Sequence, residues 1–415
     1  MTEFDDGRVG VYLHLPFCER ICPYCDFAVV AAPTLPPERE ARYADAILRE
    51  LAARKGDFPG RELATVYFGG GTPALFRPET LERLIRAVAE AFPGQNAVET
   101  TLELNPSTVE LERLPGFRAA GIDRLSIGIQ SFDDVQLKRL GRAHRAPVAR
   151  ETLRAARAAG FDNLSVDLIF AGPAQSLADL DRDLDEVIKW SPEHVSTYEL
   201  TFEPETPFGQ ALARGQLAAC DEDLAAEMIE RIESRLSAAD FERYEISSYA
   251  KPGRRATHNA RYWQRQAVLG LGMGAHSTEA RCAEHPHGAR RANARSLEAW
   301  LSQMDFDAAG AGEIEALSAE TARGEAVFLG LRQREGLGAA GFAAEFGGPP
   351  RAFFDAEIEQ ALAAGWLLEE SAQAEEQGGK QGRALDLRLS SEGRLVADSV
   401  AALFVSGGHD GSAAG

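Results

Sequence analysis

Short β-rich runs alternate with helical patterns along the first 245 residues, and this alternation constrains the fold more than any other feature of the chain. Amphipathic patterns such as Glu38–Lys55 and Pro78–Phe92 separate the runs. Six β-then-α units in succession predict a parallel sheet with right-handed crossovers, and a closed barrel would need eight, so we expect a partial barrel. A doubly wound α/β sheet has the same pattern. The predicted strands are Val9–Leu15, Leu63–Phe68, Val98–Leu104, Arg124–Ile129, Asn163–Phe170 and His194–Leu200.

The character of the chain changes after Tyr249. Residues 254–300 are rich in Arg, His and Gly, and residues 322–364 have helical patterns. Two β-rich runs around a polar loop and a last helix at Arg394–Phe404 complete a pattern of three helices and a hairpin, which predicts a smaller winged-helix-like α+β domain. We therefore expect a barrel at 1–249, a connecting segment at 250–320, the small domain at 321–405 and a disordered tail at 406–415.

The composition excludes some classes of protein. A net charge of −20 repels phosphate backbones, so we expect no nucleic-acid partner. Charged residues interrupt every apolar stretch before it reaches about 18 residues, which predicts no membrane-spanning segment and leaves peripheral contact with a membrane open. The segment Met1–Arg8 has three acidic side chains and no apolar core, unlike a secretory signal, so we expect a cytoplasmic protein.

Three of the five cysteines lie within eight residues, directly after the first predicted strand, at Cys18, Cys22 and Cys25. On a loop, this CxxxCxxC spacing lets three thiolates converge on one compact inorganic cluster. Three ligands for four irons leave one iron open to a small molecule. A zinc site is the alternative, and it would need a fourth ligand such as His14 or Asp26. An odd number of cysteines in a large chain argues against a disulfide framework.

Glycines or polar residues mark the ends of the next strands. Gly70 and Gly71 end the second strand, where a missing β-carbon lets the backbone approach a ligand closely. Glu103, Gln130 and Asp167 lie at the third, fourth and fifth strands. A charged group in an apolar strand needs a partner or a ligand, and a salt bridge inside the barrel would also satisfy it. Polar groups at three successive strand ends, beside the cysteines, indicate a binding site.

These features resemble the radical S-adenosylmethionine (SAM) superfamily, in which the three cysteines hold a [4Fe–4S] cluster. From Val11 to about Phe404, the chain resembles the family of oxygen-independent coproporphyrinogen III oxidases and HemW-type heme chaperones. The matching segments are Cys22–Phe27, Ser126–Phe132, Val166–Phe170, Glu203–Phe208 and Tyr244–Ser247. The resemblance implies a partial (β/α)6 TIM-like barrel with a helical C-terminal domain. It also implies SAM contacts at Tyr12, Tyr24 (main chain), Gly70, Gly71, Thr72, Glu103, Gln130, Arg142 and Asp167.

Two branches of this family differ at visible residues. The oxidases have an additional cysteine two positions after the third cluster cysteine, where this chain has Phe27. The chaperone branch has an HNxxY motif, present here from His258 to Tyr262, and a neutral imidazole beside aromatic rings can ligate heme iron. A His–Asn pair is also a common structural element. His276, placed near the SAM pocket by this comparison, is a second candidate ligand.

We therefore expect a chaperone that binds heme and passes it to apo-heme-protein acceptors. Two alternatives stay open. One is the oxidative decarboxylation of coproporphyrinogen III in porphyrin biosynthesis, and the other is a radical SAM reaction on an unknown substrate. Phe27 favours the chaperone over the oxidase but does not separate it from the second alternative.

Overall fold

The computed structural model of the chain describes residues 5–94, 97–279, 281–308, 312–371 and 385–405. The predicted tail at 406–415 and most of the polar loop before the last β-rich run lie outside these residues. The described strands, in chain order, are β1 Arg8–Leu15, β2 Phe17–Cys18, β3 Val30–Ala31, β4 Glu62–Gly70, β5 Glu99–Leu104, β6 Arg124–Gln130, β7 Leu164–Phe170, β8 His194–Glu199, β9 Glu242–Arg243, β10 Ser248–Ala250, β11 Val268–Leu271, β12 His276–Glu279, β13 Ala289–Ala292, β14 Glu313–Ala316, β15 Leu367–Ser371 and β16 Leu385–Leu389.

The helices alternate with the strands in the first half of the chain and dominate its end. They are α1 Pro37–Arg54, α2 Pro78–Ala91, α3 Thr108–Ala119, α4 Asp134–Arg139, α5 Ala146–Ala158, α6 Leu177–Trp190, α7 Pro207–Ala213, α8 Glu222–Ser237, α9 Thr257–Trp263, α10 Leu297–Phe306, α11 Ala319–Arg332, α12 Ala339–Phe346, α13 Arg351–Ala363, α14 Ser391–Leu395 and α15 Ala397–Leu403. Within the described residues, none of them is both long and apolar enough to cross a membrane.

A twelve-stranded sheet has the order β14-β13-β12-β11-β1-β4-β5-β6-β7-β8-β10-β9. The six predicted strands are β1 and β4 to β8, and each lies within two residues of its predicted bounds. They are parallel neighbours in chain order. A doubly wound sheet would reverse this order at a switch point, so the structure excludes that alternative and confirms the partial barrel.

The segment that the sequence predicted as a connection, 250–320, adds four strands to this same sheet. Strand β11 runs parallel to β1, with Gly10 opposite Val268, and β12, β13 and β14 follow in antiparallel order. Four residues with a central glycine are too short to show a periodic pattern, which is why the sequence did not reveal β11. The domain limits at residues 249, 320 and 405 stay a prediction.

The barrel strands are apolar on their outer face and polar on their inner face. On β1, Val11, Leu13 and Leu15 are fully buried in the core that the outer helices cover, together with Tyr43 and Ile47 of α1. Side chains alternate along a strand, so the positions between these apolar residues face inward. The inward positions of β1 and β4 to β8 include the polar residues that the sequence singled out. Because the apolar residues pack against the outer helices, the polar residues between them face the interior of the barrel.

A second apolar core lies in the last part of the chain. It joins Val327 of α11, Phe342 of α12, Ile358 of α13 and Val400 of α15, and the antiparallel hairpin β15–β16 packs against it. Three helices followed by a hairpin agree with the winged-helix-like pattern. The predicted last helix differs from the structure, because Val396 has non-helical backbone angles and separates α14 from α15.

Candidate functional site

The three clustered cysteines lie on a loop that is fixed at both ends. Strands β2 and β3 pair in parallel, with Phe17 opposite Val30. The amide of Val30 donates to the carbonyl of Pro16 at 2.8 Å, and that of Ala32 donates to Cys18 at 2.7 Å. Between these anchors, the amide of Cys25 donates to the carbonyl of Cys22 at 3.1 Å, which turns the loop. All three thiols line one cavity.

Of the two candidates for the fourth ligand that a zinc site would need, Asp26 is exposed and lies 3.7 Å from Arg295, and His14 is bonded within the barrel. His14 contacts the carbonyl of Ala28 through Nε2 at 2.7 Å and the hydroxyl of Tyr12 through Nδ1 at 3.1 Å. In the described part of the chain, no group of three His, Cys, Asp or Glu side chains is arranged to hold a single metal ion. Burial raises the pKa of Cys18 to about 11, so this thiol needs a strong positive charge, such as several irons supply, to bind as thiolate.

The glycine turn at the end of β4 packs against the cysteine loop. Gly71 donates its amide to Leu15 at 3.0 Å, and Gly70 has a positive φ of 108°. A β-carbon at Gly71 would lie 2.6 Å from the carbonyl oxygen of Pro16, and one at Gly70 would run into the ring of His14. A side chain at either position is therefore excluded by the protein itself, and the expectation that the backbone of these glycines approaches a ligand stays a prediction. Both residues still line the cavity.

Two half-buried carboxyl groups face the interior from β5 and β7. Glu103 accepts hydrogen bonds from the hydroxyl of Tyr67 at 2.7 Å and from the amide of Gly70 at 3.1 Å. Burial raises its pKa to about 7, against the opposing effect of these hydrogen bonds. Asp167 accepts from Ser126 at 3.0 Å, and burial raises its pKa too. These hydrogen bonds fix both carboxyl groups. A cation in the cavity would stabilise the ionised form of each.

Gln130 and Arg142 have polar atoms that the protein leaves without a partner. Among the described residues, nothing hydrogen-bonds to the buried Oε1 of Gln130 or to the buried Nε of Arg142. Gln130 also has a positive φ of 66°, an uncommon conformation for a residue other than glycine. Arg142 is fixed by its bonds to the carbonyl of Gly128 at 2.8 Å and to Cys22 Sγ at 3.4 Å. Unpaired buried groups of this kind fit a polar ligand.

These residues surround a cavity of about 470 Å³ at the carboxyl ends of the barrel strands, within the usual size of a ligand pocket. The three cysteines line it with seven of the nine residues expected to contact SAM, which are Tyr24, Gly70, Gly71, Glu103, Gln130, Arg142 and Asp167. The three thiols and the unpaired polar groups fit a [4Fe–4S] cluster with SAM beside it.

Two of the expected SAM residues do not line this cavity. Tyr12 lies deeper in the barrel, where its hydroxyl bonds to His14 and its ring packs 6.0 Å from that of Tyr67. Thr72 accepts a hydrogen bond from Asn105 at 2.8 Å on the far side of the cysteine loop. The sequence analysis missed Asn105 and Tyr198, which do line the cavity. Their position at strand ends was the signal that could have identified them.

The structure places His258, the first predicted heme ligand, inside the barrel. Its side chain is 1% exposed, with Nδ1 bonded to Thr65 at 2.7 Å and Nε2 to Tyr262 at 3.3 Å. Its ring stacks on Tyr67 at 5.0 Å. The amides of Thr257 and His258 donate to Glu99, which anchors the start of α9. The HNxxY motif therefore packs α9 into the barrel.

His276, the second candidate, is exposed and is not among the residues that line the cysteine cavity. It lines a different cavity, of about 650 Å³, together with Tyr262 and residues of α11 and α15. The expectation that His276 lies near the SAM pocket stays a prediction, and its own contacts are with this second cavity. The side chains predicted to hold the cluster and SAM come together, whereas the two predicted heme ligands do not.

Comparisons with known proteins identify the family. The radical SAM superfamily model matches residues 12–187, and the HemN C-terminal domain model matches residues 317–378. The chain is 30% identical over 397 residues to the heme chaperone HemW of Bacillus subtilis, covering 95% of this chain and 99% of that protein. It is 34% identical over 397 residues to HemW of Mycobacterium tuberculosis, covering 94% and 93% of the two chains.

A solved structure has the same fold. The coproporphyrinogen III oxidase HemN of Escherichia coli superposes with a TM-score of 0.78, covering 96% of this chain and 90% of that one at 20% sequence identity. At that identity the likeness concerns the fold alone. Because the HemW relatives match nearly end to end at higher identity, and because the radical SAM model spans the residues of the cysteine cavity, the chain belongs to the HemW family of the radical SAM superfamily.

Proposed function

We propose that this protein is a heme chaperone of the cytoplasm, which binds heme and transfers it to apo-heme proteins while a [4Fe–4S] cluster and SAM occupy the cysteine cavity. The observation that carries the proposal is the similarity, over 95% of the chain, to a protein named heme chaperone. The net charge of −20 supports a partner other than nucleic acid.

Phe27 favours the chaperone over a coproporphyrinogen III oxidase. The phenyl ring is 70% exposed at the rim of the cysteine cavity, in the position of the additional cysteine of the oxidases. A phenyl group can neither ligate iron nor donate a hydrogen atom as a thiol does. The oxidase alternative rests on the fold shared with HemN, and a shared fold does not carry an activity.

The residues of the cavity are suited to hold SAM by its amino-acid end. Arg142 offers a guanidinium to a carboxylate, and Gln130 offers its unpaired amide oxygen to an N–H or O–H donor. Glu103, whose pKa burial raises to about 7, becomes a carboxylate when an ammonium group lies beside it. When bound, the cluster and SAM together supply one-electron chemistry, and the enclosing barrel limits the access of water to them.

Anaerobic titration of the cluster-loaded protein with hemin tests the proposal. We expect saturable binding of one heme per chain, followed by transfer of that heme when an apo-heme protein is added, both measured from the Soret absorption. Protein that shows no saturable binding, or that retains heme in the presence of every acceptor tested, would overturn the proposal.

A further inference from the structure

A second cavity, here called the lateral cavity, opens between the main sheet and the second core. Its volume is about 650 Å³, and its lining includes His276, Arg290, Phe328, Leu329 and Val405. This volume lies within the range of about 300–1,000 Å³ that is typical of small-molecule sites. Neither the cluster nor SAM requires it, because their candidate residues lie in the cysteine cavity.

The side chain of His276 faces the inner side of the sheet. Its neighbour Ser277 faces outward, where Arg54 of α1 donates to Ser277 Oγ at 3.2 Å. Because strand side chains alternate, His276 and Thr278 face inward, toward the lateral cavity. The His276 imidazole has no hydrogen-bond partner among the described residues and is exposed. Burial of part of the ring and the nearby Arg295 lower its pKa, so the ring is neutral at pH 7 and able to ligate a metal.

The opposite wall of the lateral cavity is apolar. Phe328 and Leu329 project from α11, and Val405, which is 55% exposed, follows α15. Neither of these helices belongs to the barrel. An apolar wall facing a neutral, unpaired imidazole suits a flat hydrophobic ligand that carries a metal at its centre.

Three arginines and two glutamates form a network beside this wall, and a further carboxylate, Asp398, lines the cavity. Arg265 pairs with Glu325 at 2.7 Å and with Glu345 at 2.6 Å, Arg281 pairs with Glu345 at 2.8 Å, and Arg290 pairs with Glu325. Three guanidinium groups thus share two carboxylates in a protein whose net charge is −20. Burial, together with the neighbouring cations, lowers the pKa of Arg290. Arg290 is the arginine of this network that lines the lateral cavity, where its guanidinium can pair with an anionic group of a ligand.

We propose that heme binds in the lateral cavity, with His276 as an axial ligand of the iron, the porphyrin ring against Phe328 and Leu329, and a propionate directed to Arg290. This site rests on the proposed function and deepens it by giving the cargo a place separate from SAM. It requires no rearrangement of α9, whereas ligation by His258 would break two buried hydrogen bonds and bring a 1%-exposed ring to the surface.

The test uses the full cluster-loaded chain and hemin under anaerobic conditions. We compare wild type with His276→Ala, and His287→Ala serves as the matched control because it removes a histidine outside the lateral cavity. We expect His276→Ala to weaken heme binding at least about tenfold, since a lost bond of about 1.4 kcal/mol already has that effect. Its Soret band should shift, and added imidazole should restore the wild-type spectrum. His287→Ala should match wild type.

A second variant tests the cavity independently of the iron ligand. Ala402 of α15 lines the lateral cavity and is exposed, so Ala402→Trp fills the cavity without disturbing a core. We expect weaker heme binding and an unchanged melting temperature. If wild type binds heme, and both His276→Ala and Ala402→Trp bind it with wild-type affinity and spectrum, the site is wrong while the proposed function stands. If wild type binds no heme, both proposals fail.

Discussion

At the scale of single residues, the cluster depends on three thiols. Replacing Cys18, Cys22 or Cys25 by alanine should abolish iron retention, because a [4Fe–4S] cluster with only two protein ligands is poorly held. Cys220→Ala and Cys282→Ala are the matched controls, and they should retain iron because neither residue lines the cysteine cavity. Iron and sulfide per chain after anaerobic reconstitution measure the effect. Stoichiometric zinc without sulfide in wild type would contradict the assignment.

A substitution at Gln130 can separate an effect on SAM affinity from an effect on the thermal stability of the protein. Its φ of 66° favours glycine, and its amide oxygen has no protein partner in the described chain. Gln130→Gly should therefore maintain or raise the melting temperature while it lowers the affinity for SAM. Calorimetric titration of SAM and thermal unfolding of the same preparations measure the two effects. Equal SAM affinity in the variant and wild type would remove Gln130 from the site.

Asp183 makes stability depend on pH. The carboxyl group, on α6, accepts hydrogen bonds from Ser131 at 2.8 Å and from the amide of Phe132 at 2.6 Å, directly after Gln130. Burial raises its pKa from 3.8 to about 7. The folded protein therefore holds this proton between pH 4 and 7 while the unfolded chain loses it. The free energy of unfolding should fall as pH rises through this window, by at most about 4 kcal/mol from this group.

Asp183→Asn is the variant that tests this pH dependence. The asparagine carbonyl can still accept from the Phe132 amide, and its NH2 group can donate to the Ser131 hydroxyl. The slope of unfolding free energy against pH, from urea denaturation between pH 5 and 8, should be smaller in Asp183→Asn. An unchanged slope would show that Asp183 does not titrate in this range.

At the scale of secondary-structure elements, α9 holds the barrel interior through the HNxxY motif. His258→Ala should lower the free energy of unfolding by about 1–3 kcal/mol, because it leaves Thr65 without a partner and removes a stacked ring. Tyr262→Phe, which deletes one hydroxyl, should cost less. Urea denaturation measures both. A His258→Ala protein of full stability that has lost heme binding would restore His258 as the ligand.

The elements that could be predicted from the sequence are those whose own residues show a clear hydrophobic pattern. The outward residues of β1 and β4 to β8 are mostly apolar and recur at every second position, so these strands were predicted within two residues of their ends. Strands β11 to β14 have four residues each and no such pattern. The cysteine spacing and the polar strand ends identified most of the cysteine cavity, because parallel strands bring their carboxyl ends together.

The role of His258 could not be predicted, because its partners are distant in the sequence. Thr65 and Tyr67 lie on β4, nearly two hundred residues before the motif, and only the folded barrel brings them to the imidazole. The contact that requires a glycine at position 70 is also distant in the sequence. The ring that excludes a side chain at Gly70 belongs to His14, on the neighbouring strand.

At the scale of the whole molecule, the fold provides two separate cavities. The cysteine cavity lies at the carboxyl ends of the barrel strands, and the lateral cavity lies between the main sheet and helices α11 and α15. With heme in the lateral cavity, as proposed, the cofactors and the cargo would have different surroundings, one rich in polar groups and the other apolar with an arginine at its edge.

The central claim is that this chain handles heme and does not oxidise porphyrinogens. The most direct measurement supplies one anaerobic, cluster-loaded sample with SAM, a reductant and coproporphyrinogen III, and a second with hemin, and then analyses porphyrin products by chromatography and heme by its Soret band. The account predicts no decarboxylated product in the first sample and one bound heme per chain in the second. Accumulation of protoporphyrinogen, with no saturable heme binding, would contradict it.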